Sequence, residues 1–103
     1  MDLTPVSPEQ ITTFDGLDGW HVVGTTIVTE LRTGSFTRGA VLVAAVAGAA
    51  DAAGHHPDVE LRYPDRVRAV LTTHATGGLT VADVELARTI SALAGALGAT
   101  LEP

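Results

Sequence analysis

The sequence predicts an α+β domain of order α-β-β-α-β-β-α: a four-stranded antiparallel sheet with helices packed on one face. Three observations predict it. Residues 20–32 and 58–73 each read as two short strand-forming runs about a turn. Capped helical segments precede, separate and follow those hairpins. A length of 103 residues with 46% hydrophobic side chains suits one core, so residues 1–103 are read as a single domain.

Ser7-Pro8-Glu9-Gln10 starts the first helix: Ser7 is the N-cap, Pro8 takes the first helical position and Gln10 closes a capping box. This helix is expected to reach about Phe14, with Gly16 and Gly19 ending it. Trp20 to Val23 and Thr25 to Arg32 then form two β-branched strands about a tight turn at Gly24. His21 reads as a surface strand residue without polar neighbours.

Thr33-Gly34-Ser35 is a turn, and Ser35 caps a second helix, Phe36 to Ala53. Between Gly39 and Ala50 that helix is apolar on every side, so more than one layer must cover it. Its Ala and Gly residues would admit a second helix at close range. The expectation is one face on its own sheet and another on a second copy, giving a homodimer or homotetramer through this helix or a sheet edge. A wholly intramolecular core helix is the alternative.

Gly54 ends the helix as a C-cap glycine, and His55-His56 follow at once. Pro57 forces His56 into extended backbone. Val59, Leu61 and Tyr63 alternate with Asp58, Glu60 and Arg62, the pattern of a strand with one apolar face. Tyr63-Pro64-Asp65 turns the chain, and Arg66 to Thr73 returns with His74 at its end. The hairpin therefore brings His74 back towards His55 and His56. After the loop at Ala75-Thr76-Gly77-Gly78, a second capping box, Thr80-Val81-Ala82-Asp83, opens a helix to about Leu97. Val84, Ala87, Ile90, Leu93, Ala94 and Leu97 mark its inward face.

Composition narrows the function classes. A net charge of -6 without a basic stripe argues against nucleic acid. The absence of cysteine excludes disulfides, thiolate metal sites and cysteine nucleophiles. The N-terminus has neither the basic region nor the apolar core of a signal peptide. The apolar run from Gly39 to Ala50 is about two thirds of a membrane span. No membrane and a cytoplasmic location are the expectations.

Three of the four histidines, His55, His56 and His74, fall within twenty residues of one another. Imidazole exchanges protons near neutrality, and three readings compete. Zinc could be held by three imidazoles with Asp51 or Asp83. However, adjacent residues of an extended segment point to opposite sides, and the usual His-Glu-x-x-His pattern is absent. Secondly, the histidines could be structural groups at a helix C-terminus. The third reading is general acid–base catalysis, one imidazole taking a proton while another gives one.

The pattern Asp51-x-x-x-His55-His56-Pro57, Tyr63, Thr72-Thr73-His74, Gly78-Leu79-Thr80 and Asp83 resembles the signature of the pterin-4a-carbinolamine dehydratases. Gly19-Trp20, Phe36, the alanine-rich helix, Leu86-Ala87 and Ile90 are similar to that family too. The resemblance implies the fold derived above, self-assembly, no metal and no organic cofactor. The implied reaction is loss of water from 4a-hydroxytetrahydropterin, giving quinonoid dihydropterin for tetrahydropterin recycling. On this resemblance His55 and His74 form the principal acid–base pair, and His56 contributes to pterin binding and proton transfer. Asp51, Pro57, Thr72, Thr73 and Asp83 are the implied substrate-binding positions, Asp83 behind the histidines. Gly54, Val59 and Ala82 depart from the usual pattern, and Pro64-Asp65 lengthens the hairpin by one residue. Some relatives are inactive proteins that serve as assembly factors for another protein, which is the alternative function.

Overall fold

In the computed structural model, which describes residues 1–102, the elements run α1 (Pro8–Ile11), β1 (His21–Val23), β2 (Thr26–Arg32), α2 (Phe36–Ala53), β3 (Asp58–Arg62), β4 (Arg66–Leu71), α3 (Val81–Ala96) and β5 (Thr100–Leu101). A single 3-10 turn, His74–Thr76, lies between β4 and α3. The strand order is β1-β2-β4-β3 with every neighbour antiparallel. This is the predicted α+β order with one addition. β5 pairs with Leu31 and Arg32 of β2, on the stretch that β1 leaves uncovered. Two residues without a strong β pattern gave no sequence signal for it.

Alternation along the strands decides where the core sits. Ile27, Thr29 and Leu31 of β2, with Val67, Ala69 and Leu71 of β4, are buried, and Val59 and Leu61 of β3 pack half-buried beside them. α2 meets this layer with Gly39, Leu42, Val46 and Ala50, a spacing of three to four residues that marks one helical stripe. By length and composition α2 reaches the threshold of a membrane-crossing helix, longer than the apolar run alone suggested. Its buried stripe nevertheless belongs to the core, which Leu42 and Val46 join. α3 adds Val84, Leu86, Ala87, Ile90 and Ala94.

Gly39 sits where α2 crosses the sheet most closely. A Cβ there would collide with the Leu61 side chain and lie 3.3 Å from Thr33 Oγ1. Gly39→Ala gains about 1 kcal/mol of helix propensity but meets an overpacking cost of about 1–3 kcal/mol. A lower midpoint in thermal unfolding followed by circular dichroism is the expected result. A raised midpoint would show that Leu61 swings aside freely.

Three boundaries differ from expectation. α1 stops at Ile11, because Thr12 already caps it, and turns rather than helix carry Phe14. β4 stops at Leu71, because Thr73 donates its N–H to Gly78 O at 3.2 Å and begins a turn instead. His74 therefore opens the 3-10 turn and is not the last residue of a strand. The longer hairpin tip also has a definite place. Tyr63 is exposed, whereas Asp65 is buried and accepts Gly34 N–H at 2.9 Å. The Asp65 carbonyl accepts from Thr33 N–H and Thr33 Oγ1, each at 2.9 Å. The tip is thus tied to the turn between β2 and α2.

Candidate active site

Two helix ends and two strand ends converge at one end of the sheet. α2 closes at Gly54, whose φ of 65° is the left-handed conformation glycine adopts freely. Gly54 N–H reaches Asp51 O at 3.3 Å and His55 N–H reaches Ala50 O at 3.2 Å. That termination fixes the point from which His55 and His56 diverge. The register of β3 on β4 pairs Asp58 with Val70 and Val59 with Ala69. Beyond the ladder, His55 and Thr73 are linked through a shared partner, Asp83.

Asp83, in the first turn of α3, joins these elements. It is fully buried. Its Oδ1 lies 2.6 Å from His55 Nε2. Its Oδ2 accepts from Thr73 Oγ1 at 2.7 Å and from Thr80 N–H at 2.9 Å. Thr73 and Thr80 are linked in turn through their hydroxyls at 2.9 Å. The side chain of His55 is 10% exposed against 0% for Asp83, so the pair is shielded from water. A carboxylate can only accept hydrogen bonds. It therefore holds the hydrogen on Nε2 and leaves Nδ1 as the nitrogen free to exchange a proton with a substrate.

The adjacent histidine goes elsewhere. His56 Nε2 lies 2.9 Å from Asp51 Oδ1, with side-chain exposures of 62% and 78%. Water screens such a pair heavily, and pairs of this kind contribute at most about 1 kcal/mol. The two rings thus meet different carboxylates in different surroundings, and neither is hydrogen-bonded to His74. His74 is exposed on its turn, where its carbonyl accepts Gly77 N–H at 3.1 Å. Thr72 is half-buried and gives its hydroxyl hydrogen to Thr25 O at 2.7 Å. Pro57 is half-buried at the entry to β3.

His55 lines a cleft of about 150 Å³ between α2 and α3. Ala49 and Ala53 form one wall, Ala82, Leu86 and Thr89 the other, with Glu85 and Met1 completing it. Neither His56 nor His74 lines this cleft. Sequence reasoning passed over its α3 wall. The signal available was the spacing of Ala82, Leu86 and Thr89, one helical face beside the Val84-Ala87-Ile90 stripe.

A buried histidine–aspartate pair at one end of a helix-covered antiparallel sheet defines a small α+β protein equipped for proton transfer. Comparison with known proteins makes this specific. Residues 4–93 match the family described as Pterin 4 alpha carbinolamine dehydratase, and the chain belongs to that family. A Nocardia farcinica protein named for this dehydratase is 43% identical over 90 residues, covering 86% of this chain and 94% of the relative. A Chloroflexus aurantiacus protein of the same name is 45% identical over 76 residues, covering 74% and 81%. Among solved structures, a transcriptional coactivator/pterin dehydratase from Brucella melitensis superposes with a TM-score of 0.78 at 29% identity, covering 89% of this chain and 99% of that one.

Proposed function

We propose that this protein catalyses dehydration of 4a-hydroxytetrahydropterin to quinonoid dihydropterin and water, a step of tetrahydropterin recycling in the cytoplasm. In the reaction N5 loses its proton to a base, and a double bond forms between N5 and C4a. The C4a–O bond breaks, and the hydroxyl leaves as water after receiving a proton from an acid. No oxidant and no cofactor enters that balance. The observation that carries the reading is the His55–Asp83 pair at 2.6 Å beside a cleft, in a chain of the dehydratase family. Asp83 orients His55 for transfer through Nδ1. His74 is its proposed acid–base partner from the other side of the substrate, and His56, paired with Asp51, assists binding and proton transfer. Pro57, Thr72 and Thr73 shape the pterin site.

The test is direct. Substrate generated in situ by a pterin-dependent hydroxylase should give quinonoid dihydropterin faster in the presence of the protein than spontaneously. An unchanged rate would remove the dehydratase reading and favour the assembly role.

Self-association belongs to the same reading. Opposite its buried stripe, α2 exposes Ala40, Val41, Ala44, Ala47 and Gly48, with Val41 49% exposed. A second copy of α2 could lie close against so flat an apolar surface. Analytical ultracentrifugation should find a homodimer or homotetramer of the 10.6 kDa chain, and Val41→Glu should shift it towards monomer. A wild-type monomer at micromolar concentration would end this part of the proposal.

A further inference from the structure

Residues 2–6 lie as a strap across the start of α3. The first N–H groups of a helix have no partner within it. In α3, Val81 N–H donates to Thr4 O at 3.0 Å and Ala82 N–H donates to Asp2 O at 2.8 Å. Val6 N–H donates to Leu79 O at 2.9 Å, and Pro5 bridges Thr80 between these bonds. Asp2 Oδ1 accepts Thr4 N–H at 2.9 Å, a short turn that sets the Asp2 carbonyl for Ala82. Residues 2–5 are exposed, and Val6 joins the core. Thr80, which Pro5 bridges, and Asp83 are fully buried. The strap thus holds the two residues that directly precede Asp83.

Assuming the dehydratase reading above, we infer that this strap is a positioning element for the reaction, keeping water from the Asp83 carboxylate and so holding His55 in one orientation. Asp83 Oδ1 meets His55 Nε2 at 2.6 Å, and a water-poor setting strengthens that bond. Were the strap to lift, Val81 and Ala82 N–H would turn to water. Water hydrogens would then compete for the lone pairs of Asp83, which accept from any donor. His55 Nε2–H would exchange, and Nδ1 would lose its fixed direction. The strap acts through Asp83 and His55 and handles no proton itself.

Val81→Pro cuts the strap without cutting the helix. Val81 is the first residue of α3, a position proline favours because the N–H has no partner within the helix. Thr80, at φ −135° and ψ 174°, already has the extended backbone a following proline requires. Val81→Ala is the control, since it trims the side chain and keeps the N–H. With isotope-labelled histidine, NMR should show His55 Nε2–H exchanging about threefold to tenfold faster in Val81→Pro, the scale of one lost hydrogen bond. Val81→Ala should match wild type. The Ala69 amide, paired with Thr29 and Val59 in the middle of the sheet, should keep its protection in both variants, which separates local opening from global unfolding. Exposed chain segments open at little cost, so the double variant Asp2→Ala/Val81→Pro should free the strap in most molecules. Its kcat should fall about threefold or more while KM stays within about twofold of wild type. Unchanged His55 exchange in Val81→Pro, equally fast exchange in Val81→Ala, or a double variant with full kcat would overturn the inference while leaving wild-type dehydration intact. A wild type that gives no acceleration would remove the dehydratase reading and the positioning role with it, even where the exchange results hold.

Discussion

Replacing His55 with alanine is expected to reduce the enzymatic acceleration of pterin dehydration by about 10²–10⁴-fold, the range of a positioned general acid or base. The expectation rests on how unequally the histidines are held. His55 is fixed through Nε2 by a buried carboxylate at 2.6 Å, so its Nδ1 has one orientation before substrate arrives. His56 shares only an exposed contact with Asp51, for which water competes. His56→Ala should therefore cost less than His55→Ala, with more of its effect on KM than on kcat. His74→Ala is expected to approach the His55→Ala loss, because a single imidazole cannot both accept the N5 proton and supply the hydroxyl's proton in one concerted step. The measurement is kcat/KM for each variant after subtraction of the spontaneous rate. Retained acceleration in both His55→Ala and His74→Ala would show that these roles are misassigned. His55→Ala also leaves Asp83 Oδ1 without its partner, an unsatisfied buried acceptor worth about 1–3 kcal/mol. Thermal unfolding should accompany the kinetics, so that lost protein is not mistaken for lost chemistry.

Much of this architecture was legible because local signals and tertiary packing agreed. Ser35 and Gly54 bound α2 as helix-capping chemistry requires, and the Thr80-to-Asp83 spacing located the start of α3. Pro57 separated two adjacent histidines that a composition count would have grouped together. The less legible features depend on contacts between distant segments. Asp83 has the sequence signature of an ordinary capping residue, and its Oδ2 does accept Thr80 N–H. Nothing local shows that its other oxygen holds His55, twenty-eight residues earlier. The placement of His74 depended similarly on Thr73, which leaves the ladder to bond Gly78 O and Asp83. β5 is fixed by its place on β2 and by Leu101 packed over Gly19. The cleft is set by α2 and α3 together, so its lining could not be read from either helix alone.

Asp83→Ala should be among the most destabilising single substitutions in the chain. Four groups converge on this buried carboxylate or on its hydroxyl partner: His55, Thr73, Thr80 N–H and Thr80 Oγ1. Truncation leaves the imidazole, one hydroxyl and one amide donor without their acceptor in a water-poor site. Breaking a buried pair in this way costs about 3–5 kcal/mol. For a domain near 100 residues each kcal/mol lowers Tm by roughly 4–8 °C, so thermal unfolding should show a loss of at least about 12 °C. Such a loss alone would be equally consistent with a purely structural aspartate. Asp83→Asn separates the two roles. The asparagine oxygen can still accept from Thr80 N–H and Thr73 Oγ1, which preserves most of the anchoring. Its NH₂ then faces His55 and favours the tautomer with Nε2 as acceptor and the hydrogen on Nδ1. A neutral imidazole in that state cannot take a proton at Nδ1, and the same inversion in a serine-protease triad costs about 10⁴ in rate. Asp83→Asn should thus unfold within a few degrees of wild type while losing most of its dehydration rate. A variant that keeps both stability and rate would reduce Asp83 to a helix cap, and His55 would have to act without an orienting carboxylate.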